Sequence, residues 1–306
     1  MLNQLVIWML PAVPRPIVYQ VAGRYIAGDT REKAIDLIRS LTQRGYRVTV
    51  DQLGEDTVNL DQARGATAEY LQLMEDLAAS GVERNISLKL TQFGLRLDKE
   101  GTFDHVKRML EVAARYDFFV RIDMEDSTVT DVTLELYQRA RQIYPRVGTV
   151  LQSRLYRTIE DARQLAAEGA NIRLCKGIYK EPAAVAHTKM RDINEAFVEV
   201  ARILMDGPSF VGLATHDVPL IARLKEEINA RPAAVRGQLE FQALLGVPVR
   251  RTLEQLMGEG YTVRLYVPYG QEWYAYSVRR LKENPAMAMA IAKSLFSRNR
   301  VSASSS

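Results

Sequence analysis

Charged and amide side chains recur inside otherwise apolar, β-rich runs of this chain, a placement that site chemistry explains better than packing does. "ISLKL" carries Lys89, "VRIDMED" carries Asp123 and Glu125, "TVLQ" ends in Gln152, and "NIRLCK" holds Arg173 and Lys176. "GLATH" closes with Thr215 and His216, "QLEFQ" holds Glu240 and Gln242, and "VRLYV" holds Arg264 and Tyr266. An unpaired charge in such a run is costly to bury. For any one of these residues a structural ion pair is an even alternative, but repetition from run to run points to a site. Its cations, Lys89, Arg173 and Lys176, suit an anionic ligand.

A second constellation lies in "YAYSVRRLKENP", residues 274–285, which reads as a helix ending before Pro285. Adjacent helical residues diverge by about 100°, so Arg279 and Arg280 do not point squarely at one spot. Each has a same-face partner four residues away, Glu283 for Arg279 and Tyr276 for Arg280. Taken alone the pair is a solvated basic face with Lys282. Laid over a cationic rim it becomes a carboxylate clamp, because guanidinium forks match carboxylates.

Other chemistries find less support. His105, His187 and His216 lack metal-ligand spacing. Cys175 sits within a strand-like run and reads as a small buried residue before it reads as a nucleophile. Neither a G-x-S-x-G elbow nor a phosphate-binding glycine loop occurs. Lys89 or Lys176 forming a Schiff base, as in barrel aldolases, stays open, as does a non-catalytic anion-binding barrel. The aldolase explains neither the arginine pair nor the density of polar groups on the fourth to seventh runs.

The elements that must position these residues are eight short β-rich runs, at 46–50, 86–90, 118–122, 148–152, 171–175, 210–215, 237–242 and 261–267. Amphipathic stretches such as "TAEYLQLMEDLAASG" separate them, and glycine often closes the helical pattern, as at Gly45, Gly81, Gly169 and Gly260. Eight strand–helix units in about 250 residues predict an α/β fold, a (β/α)8 TIM-like barrel, with its site at the carboxyl ends of the strands. A doubly wound sheet is the rival, but no G-x-G-x-x-G follows the first strand. The chain reads as one domain over 1–306: an N-terminal helical segment at 1–43, the barrel at 44–300, a final helix closing over its mouth, and a disordered tail at 301–306.

Composition is that of a globular protein: 306 residues, 47% hydrophobic and 25% charged. Forty-one basic against thirty-seven acidic residues leave +4, spread without a Lys/Arg block, which argues against nucleic acid. A single cysteine fits a reducing compartment. The opening "MLNQLVIWMLPAVPRPIV" is apolar but broken by Pro11, Pro14 and Pro16. It is too short for a span, lacks the basic start of a secretion signal, and reads as a helix packed on the domain. A surface resting on a membrane or partner is the alternative.

"ISLKLTQ", "IDMEDS", "VLQSRLYRT", "IRLCKGIY", "ATHD", "EFQALLG", "RLYVPYG" and "YAYSVRRLKEN" together resemble the proline dehydrogenase family in order and spacing, over about two-thirds of the chain from Lys89 to Glu283. The resemblance implies a (β/α)8 barrel holding FAD at the strand ends and oxidising L-proline to Δ1-pyrroline-5-carboxylate, with electrons passed to a membrane quinone. It makes Lys89, Arg279 and Arg280 the carboxylate ligands, with Tyr266 and Tyr276 lining the proline ring. Asp123 and Arg173 fall on catalytic positions. Met124, Gln152, Arg173, Lys176, Gly177, Ile178, Thr215 and His216 match flavin contacts, and Glu283 matches the acid paired to the first arginine. Cys175 departs from a branched aliphatic, the loop after Tyr266 looks short, and the first 45 residues match weakly. With no aldehyde dehydrogenase half, the chain resembles the monofunctional bacterial form. Product would then pass to a separate pyrroline-5-carboxylate dehydrogenase. The expected location is cytoplasmic, at most peripheral on the inner face of the membrane.

Overall fold

In the computed structural model, which describes residues 23–54, 56–274 and 276–277, the eight β-rich runs pair in parallel and in chain order into a closed barrel. The strands are β1 (Arg47–Gln52), β2 (Asn85–Leu88), β3 (Phe119–Ile122), β4 (Val147–Gln152), β5 (Asn171–Cys175), β6 (Phe210–Ala214), β7 (Leu239–Leu244) and β8 (Val263–Tyr269). The ring closes where β1 lies against β8, in register from Arg47 opposite Arg264 to Gln52 opposite Tyr269. Every run expected from the sequence is a strand. β7 begins two residues later than expected, because a 3-10 turn over Ala233–Gln238 occupies that stretch.

Helix α1 (Arg31–Gln43) precedes the barrel, and α2 (Leu60–Ser80), α3 (Lys99–Tyr116), α4 (Thr130–Ile143), α5 (Thr158–Ala167), α6 (Met190–Met205), α7 (Val218–Asn229) and α8 (Arg250–Gly258) follow β1 to β7 in turn. Their starts are set locally. Thr30, Asn59, Asp98 and Asp217 each accept a hydrogen bond from a backbone amide of the first turn of α1, α2, α3 and α7. Before α1 only a 3-10 turn over Gly23–Tyr25 is described, and residues 1–22 lie outside the described residues. So do Arg279, Arg280, Glu283 and the tail at 301–306, while the backbone is helical at Trp273, Tyr274, Tyr276 and Ser277.

Strand parity decides where the core lies. Ile86, Leu88, Val120, Ile122, Ile172, Leu174, Val211 and Leu213 face outward into one apolar cluster shared with the helices. The alternate positions line the lumen, which such barrels usually fill with branched aliphatics. Here it holds Ser87, Arg121, Asp123, Arg173, Glu240, Gln242 and Arg264, all bonded to one another or to backbone.

That parity corrects one expectation. Glu240 and Arg264 face inward but are not at the carboxyl-end rim. Arg264 pairs with Glu83, just ahead of β2, and with Glu240, and both residues line a polar cavity of about 460 Å³ at the amino-terminal ends of the strands. Each stands two residues earlier on its strand than the residue that reaches the mouth, Gln242 and Tyr266.

The N-terminal segment is tied to the barrel by backbone contacts. Ala27 donates to the Pro268 carbonyl, and Gly246 (φ +78°) packs so closely that a Cβ there would sit 2.3 Å from the Arg24 carbonyl oxygen. Only glycine suits both the left-handed φ and the approach. Gly246→Ala is expected to cost about 1–3 kcal/mol and to lower the thermal midpoint by several degrees. An unchanged midpoint in calorimetry would show that the segment does not pack there.

Candidate active site

At the carboxyl ends of the strands lies a cavity of about 1190 Å³. Lys89, Asp123, Met124, Gln152, Arg173, Lys176, Gly177, Ile178, Thr215, His216, Tyr266 and Tyr276 all line it, whereas Glu240 and Arg264 line the lower cavity and Glu125 lies beside this one.

Its floor is a ring of buried polar groups. Asp51 ends the inward parity of β1, and both its carboxylate oxygens accept from Lys89 Nζ at 3.0 Å. Burial raises the Asp51 carboxyl above its usual range, against the pull of Lys89. The Lys89 ammonium reaches on to the Tyr266 hydroxyl at 3.4 Å, and that hydroxyl donates to Asp123 Oδ2 at 3.0 Å. Burial, with Asp123 and Asp51 close by, holds the Tyr266 phenol well above its usual value, so it stays a donor. Asp123 Oδ1 accepts from Ser87 at 2.6 Å and from Arg173 Nη1 at 2.6 Å. Arg173 lies with its Cζ 5.1 Å from the Tyr266 ring centroid, and its Nε donates to Gln242 at 2.7 Å.

The wall is built from the loops after β4, β5 and β6. Gln152 donates to the Glu125 carbonyl at 2.7 Å. Gly177 (φ +92°) runs against it, and a Cβ there would lie 2.8 Å from Gln152 Oε1. Lys176 pairs with Asp217, which also accepts from Asn194 at 3.1 Å and caps α7. His216 Nε2 accepts from the Leu244 amide at 3.0 Å, which puts a neutral ring's proton on Nδ1. Burial pushes the Cys175 thiol up to about 11, the state of an inert wall residue.

Pairing changes the electrostatic expectation. Lys89, Arg173 and Lys176 were expected to form a cationic excess, but each faces a carboxylate: Asp51, Asp123 and Asp217. Within the described residues the floor is balanced, with donors of both kinds fixed in place. Such a floor can hold a carboxylate through Lys89, present an oriented phenol, and hold a guanidinium charge steady beside a bound group. Sequence reasoning missed Asp51, Ser87 and Asp217. Asp51 had a signal, since "VTVDQ" continues the inward alternation, but the expected strand stopped at Val50.

The profile of the Proline dehydrogenase family matches residues 34–293. Proline dehydrogenase 1 of Bacillus subtilis is 37% identical over 274 residues, covering 90% of each chain. Proline dehydrogenase of Deinococcus radiodurans is 34% identical over 287 residues, covering 92% of each. In structure, this chain is similar to proline utilization A from Bdellovibrio bacteriovorus, with a TM-score of 0.77 at 24% identity, over 87% of this chain and 33% of that one.

Glu125, beside the cavity, generates a pH prediction. Burial pushes its carboxyl from 4.5 up to about 7, although the Thr91 amide and hydroxyl both donate to it. The folded protein therefore keeps a proton that the unfolded chain has released, and the stability this confers below pH 4.5 is lost as pH rises through about 7. Asp51 acts in the same direction. Glu125→Gln should flatten, without abolishing, the fall in urea midpoint across that window. Superimposable pH profiles for the two proteins would refute it.

Proposed function

Because this chain belongs to the proline dehydrogenase family, we propose that it oxidises L-proline to Δ1-pyrroline-5-carboxylate, the first step of proline catabolism, with FAD bound in the cavity and a membrane quinone receiving the electrons. The observation that carries this reading is the bonded Lys89–Tyr266–Asp123–Arg173 cluster, partly to fully buried, at the floor of a cavity large enough for a cofactor and a small acid together. Cavities for one drug-sized ligand run about 300–1,000 Å³, and this one exceeds that range.

The residues present fit the flavin. Gly177 leaves open the space that a side chain would fill against Gln152, and the donors Lys176, Arg173 and Gln152 suit its ring edge and its phosphates. Met124, Ile178, Thr215 and His216 would complete the contacts. Bound flavin supplies the two-electron acceptor. Lys89, joined by Arg279 and Arg280, holds the proline carboxylate. Tyr266 and Tyr276 enclose the ring and keep water from it. Asp123, which accepts from Ser87, Arg173 and Tyr266, orients the latter two and would position the proton of the substrate amine. Arg173 brings a fixed positive charge to the wall, which favours negative charge developing there. Glu283 would steady Arg279.

Product would pass to a separate pyrroline-5-carboxylate dehydrogenase. No helix among the described residues is long and apolar enough to cross a membrane, so contact with a membrane quinone would be peripheral, at a cytoplasmic face. An aldolase is disfavoured because a Schiff-base lysine must be a neutral amine, and both Lys89 and Lys176 are ion-paired to carboxylates.

Purified protein should show flavin absorbance that bleaches anaerobically on adding L-proline. A colourless protein that traps a lysine adduct with borohydride would replace this reading with the aldolase. Lys89→Ala should weaken proline binding by roughly 10- to 150-fold, the worth of a hydrogen bond to a charged group, while flavin content stays at the wild-type level. Loss of flavin from that variant would reassign Lys89 to the cofactor.

Tyr276 is buried at the cavity edge and should select proline over 4-hydroxyproline by filling the space the added hydroxyl needs. Tyr276→Ser should lower kcat/KM for proline by roughly 10- to 200-fold and lower it far less for the hydroxylated ring. An unchanged preference ratio removes Tyr276 from the pocket.

A further inference from the structure

A continuous chain of hydrogen bonds runs up the lumen from the amino-terminal end to the cavity floor. Glu83 accepts from the Val48 amide at 2.8 Å and from Arg264 Nη1 at 2.9 Å. Arg264 Nε donates to Glu240 Oε1 at 2.6 Å, and Gln242 Nε2 donates to the same oxygen at 2.7 Å. Gln242 Oε1 in turn accepts from Arg173 Nε at 2.7 Å, and Arg173 Nη1 reaches Asp123 at 2.6 Å.

The order of donors and acceptors is forced. A carboxylate only accepts and a guanidinium only donates, so Gln242 is the single link able to face either way. With Glu240 below it and Arg173 above, one amide orientation satisfies both neighbours and the flipped one satisfies neither. All three are buried, so a flip would leave polar groups unsatisfied. Gly212 adds an independent observation. A Cβ there would lie 2.3 Å from Gln242 Nε2, so the glycine on β6 vacates the volume that the amide occupies.

We infer that Glu240, Arg264 and Gly212, none of which reaches the cavity, are positioning residues for the reaction. Together they lock the Gln242 amide so that its oxygen holds the Arg173 guanidinium against Asp123 and over Tyr266. The inference rests on the functional reading above, in which Arg173 is the charge beside the reacting atoms.

The test uses the flavin-loaded full chain and three variants. Glu240→Gln removes the acceptor-only neighbour, so the Gln242 amide is free to flip. Gly212→Ala crowds the amide directly. The exchanged pair Glu240→Gln/Gln242→Glu lets amide and carboxylate trade places: the bond between positions 240 and 242 reverses, but Arg264 and Arg173 each keep an acceptor and the total charge is preserved. Both single variants should lose roughly 10- to 100-fold in kcat, the scale of a small misplacement. Binding of a proline analogue with oxygen in place of the ring nitrogen should stay within about twofold of wild type, because Lys89 is untouched. The exchanged pair should recover most of the lost kcat.

Wild-type kcat in both single variants, or an exchanged pair no better than they are, overturns the inference. If Glu240→Gln fails to fold, Gly212→Ala and the exchanged pair decide it. A wild-type protein inert toward L-proline sinks the functional reading instead. A crystal structure of Gly212→Ala with Arg173 still against Asp123 would overturn the positioning inference independently of any turnover.

Discussion

Burying charge inside a barrel lumen is tolerable only where each charge meets an opposite charge or several fixed hydrogen-bond partners, and much of this structure follows from that constraint. Removing one partner of a buried pair typically costs about 3–5 kcal/mol, because the other is left uncompensated. Asp51 with Lys89, Asp123 with Arg173, and Glu83 and Glu240 with Arg264 all meet the condition. Arg121 meets it differently. Its guanidinium donates to the Thr149 and Asn171 carbonyls and to the Asn171 side chain, and burial, with Arg173 nearby, lowers its pKa to about 9. Net stability therefore has to come from outside the lumen, where the outward faces of the strands share one apolar cluster with the helices.

The same pairing shapes what the cavity can recognise. A floor with unbalanced cations would attract any small anion. A floor in which each cation already holds a carboxylate attracts an anion only where geometry lets a donor serve two acceptors. Lys89 is such a donor, its ammonium already shared between both Asp51 oxygens and the Tyr266 hydroxyl. On the proposed function, further positive charge for a substrate carboxylate would come from Arg279 and Arg280, which lie outside the described residues.

Much of this was legible in the sequence because a parallel barrel writes itself plainly. Strands buried on both faces read as apolar runs, so a charge within one stands out, and Lys89, Asp123 and Arg173 stood out for that reason. Depth along a strand was not legible. Glu240 and Gln242 share a parity, and only the stagger of neighbouring strands places one at the lower cavity and the other at the floor. Partners were equally hidden. Asp51 lies 38 residues from Lys89 and Asp217 lies 41 from Lys176, separations with no local signal. The arginine pair was the most conspicuous motif in the sequence, and its roles rest on family resemblance.

A polar lumen is an expensive way to build a barrel, and the position of Arg173 supplies the reason for it. An aliphatic bed fills space but cannot fix the plane of a guanidinium, since dispersion is nearly indifferent to rotation. Fixing it needs an acceptor behind, here Gln242, which needs an acceptor of its own, here Glu240, which needs a donor, here Arg264. Each polar group added to orient the last creates another to satisfy. Such a sequence of demands can stop only at backbone or at water. Here it stops at backbone: Arg264 donates to the Val48 carbonyl, and its partner Glu83, which lines the polar lower cavity, accepts from the Val48 amide. On the positioning inference, the polarity of this column of the lumen follows from holding one arginine still at its upper end, while Arg121, bonded to Thr149 and Asn171, stands outside it.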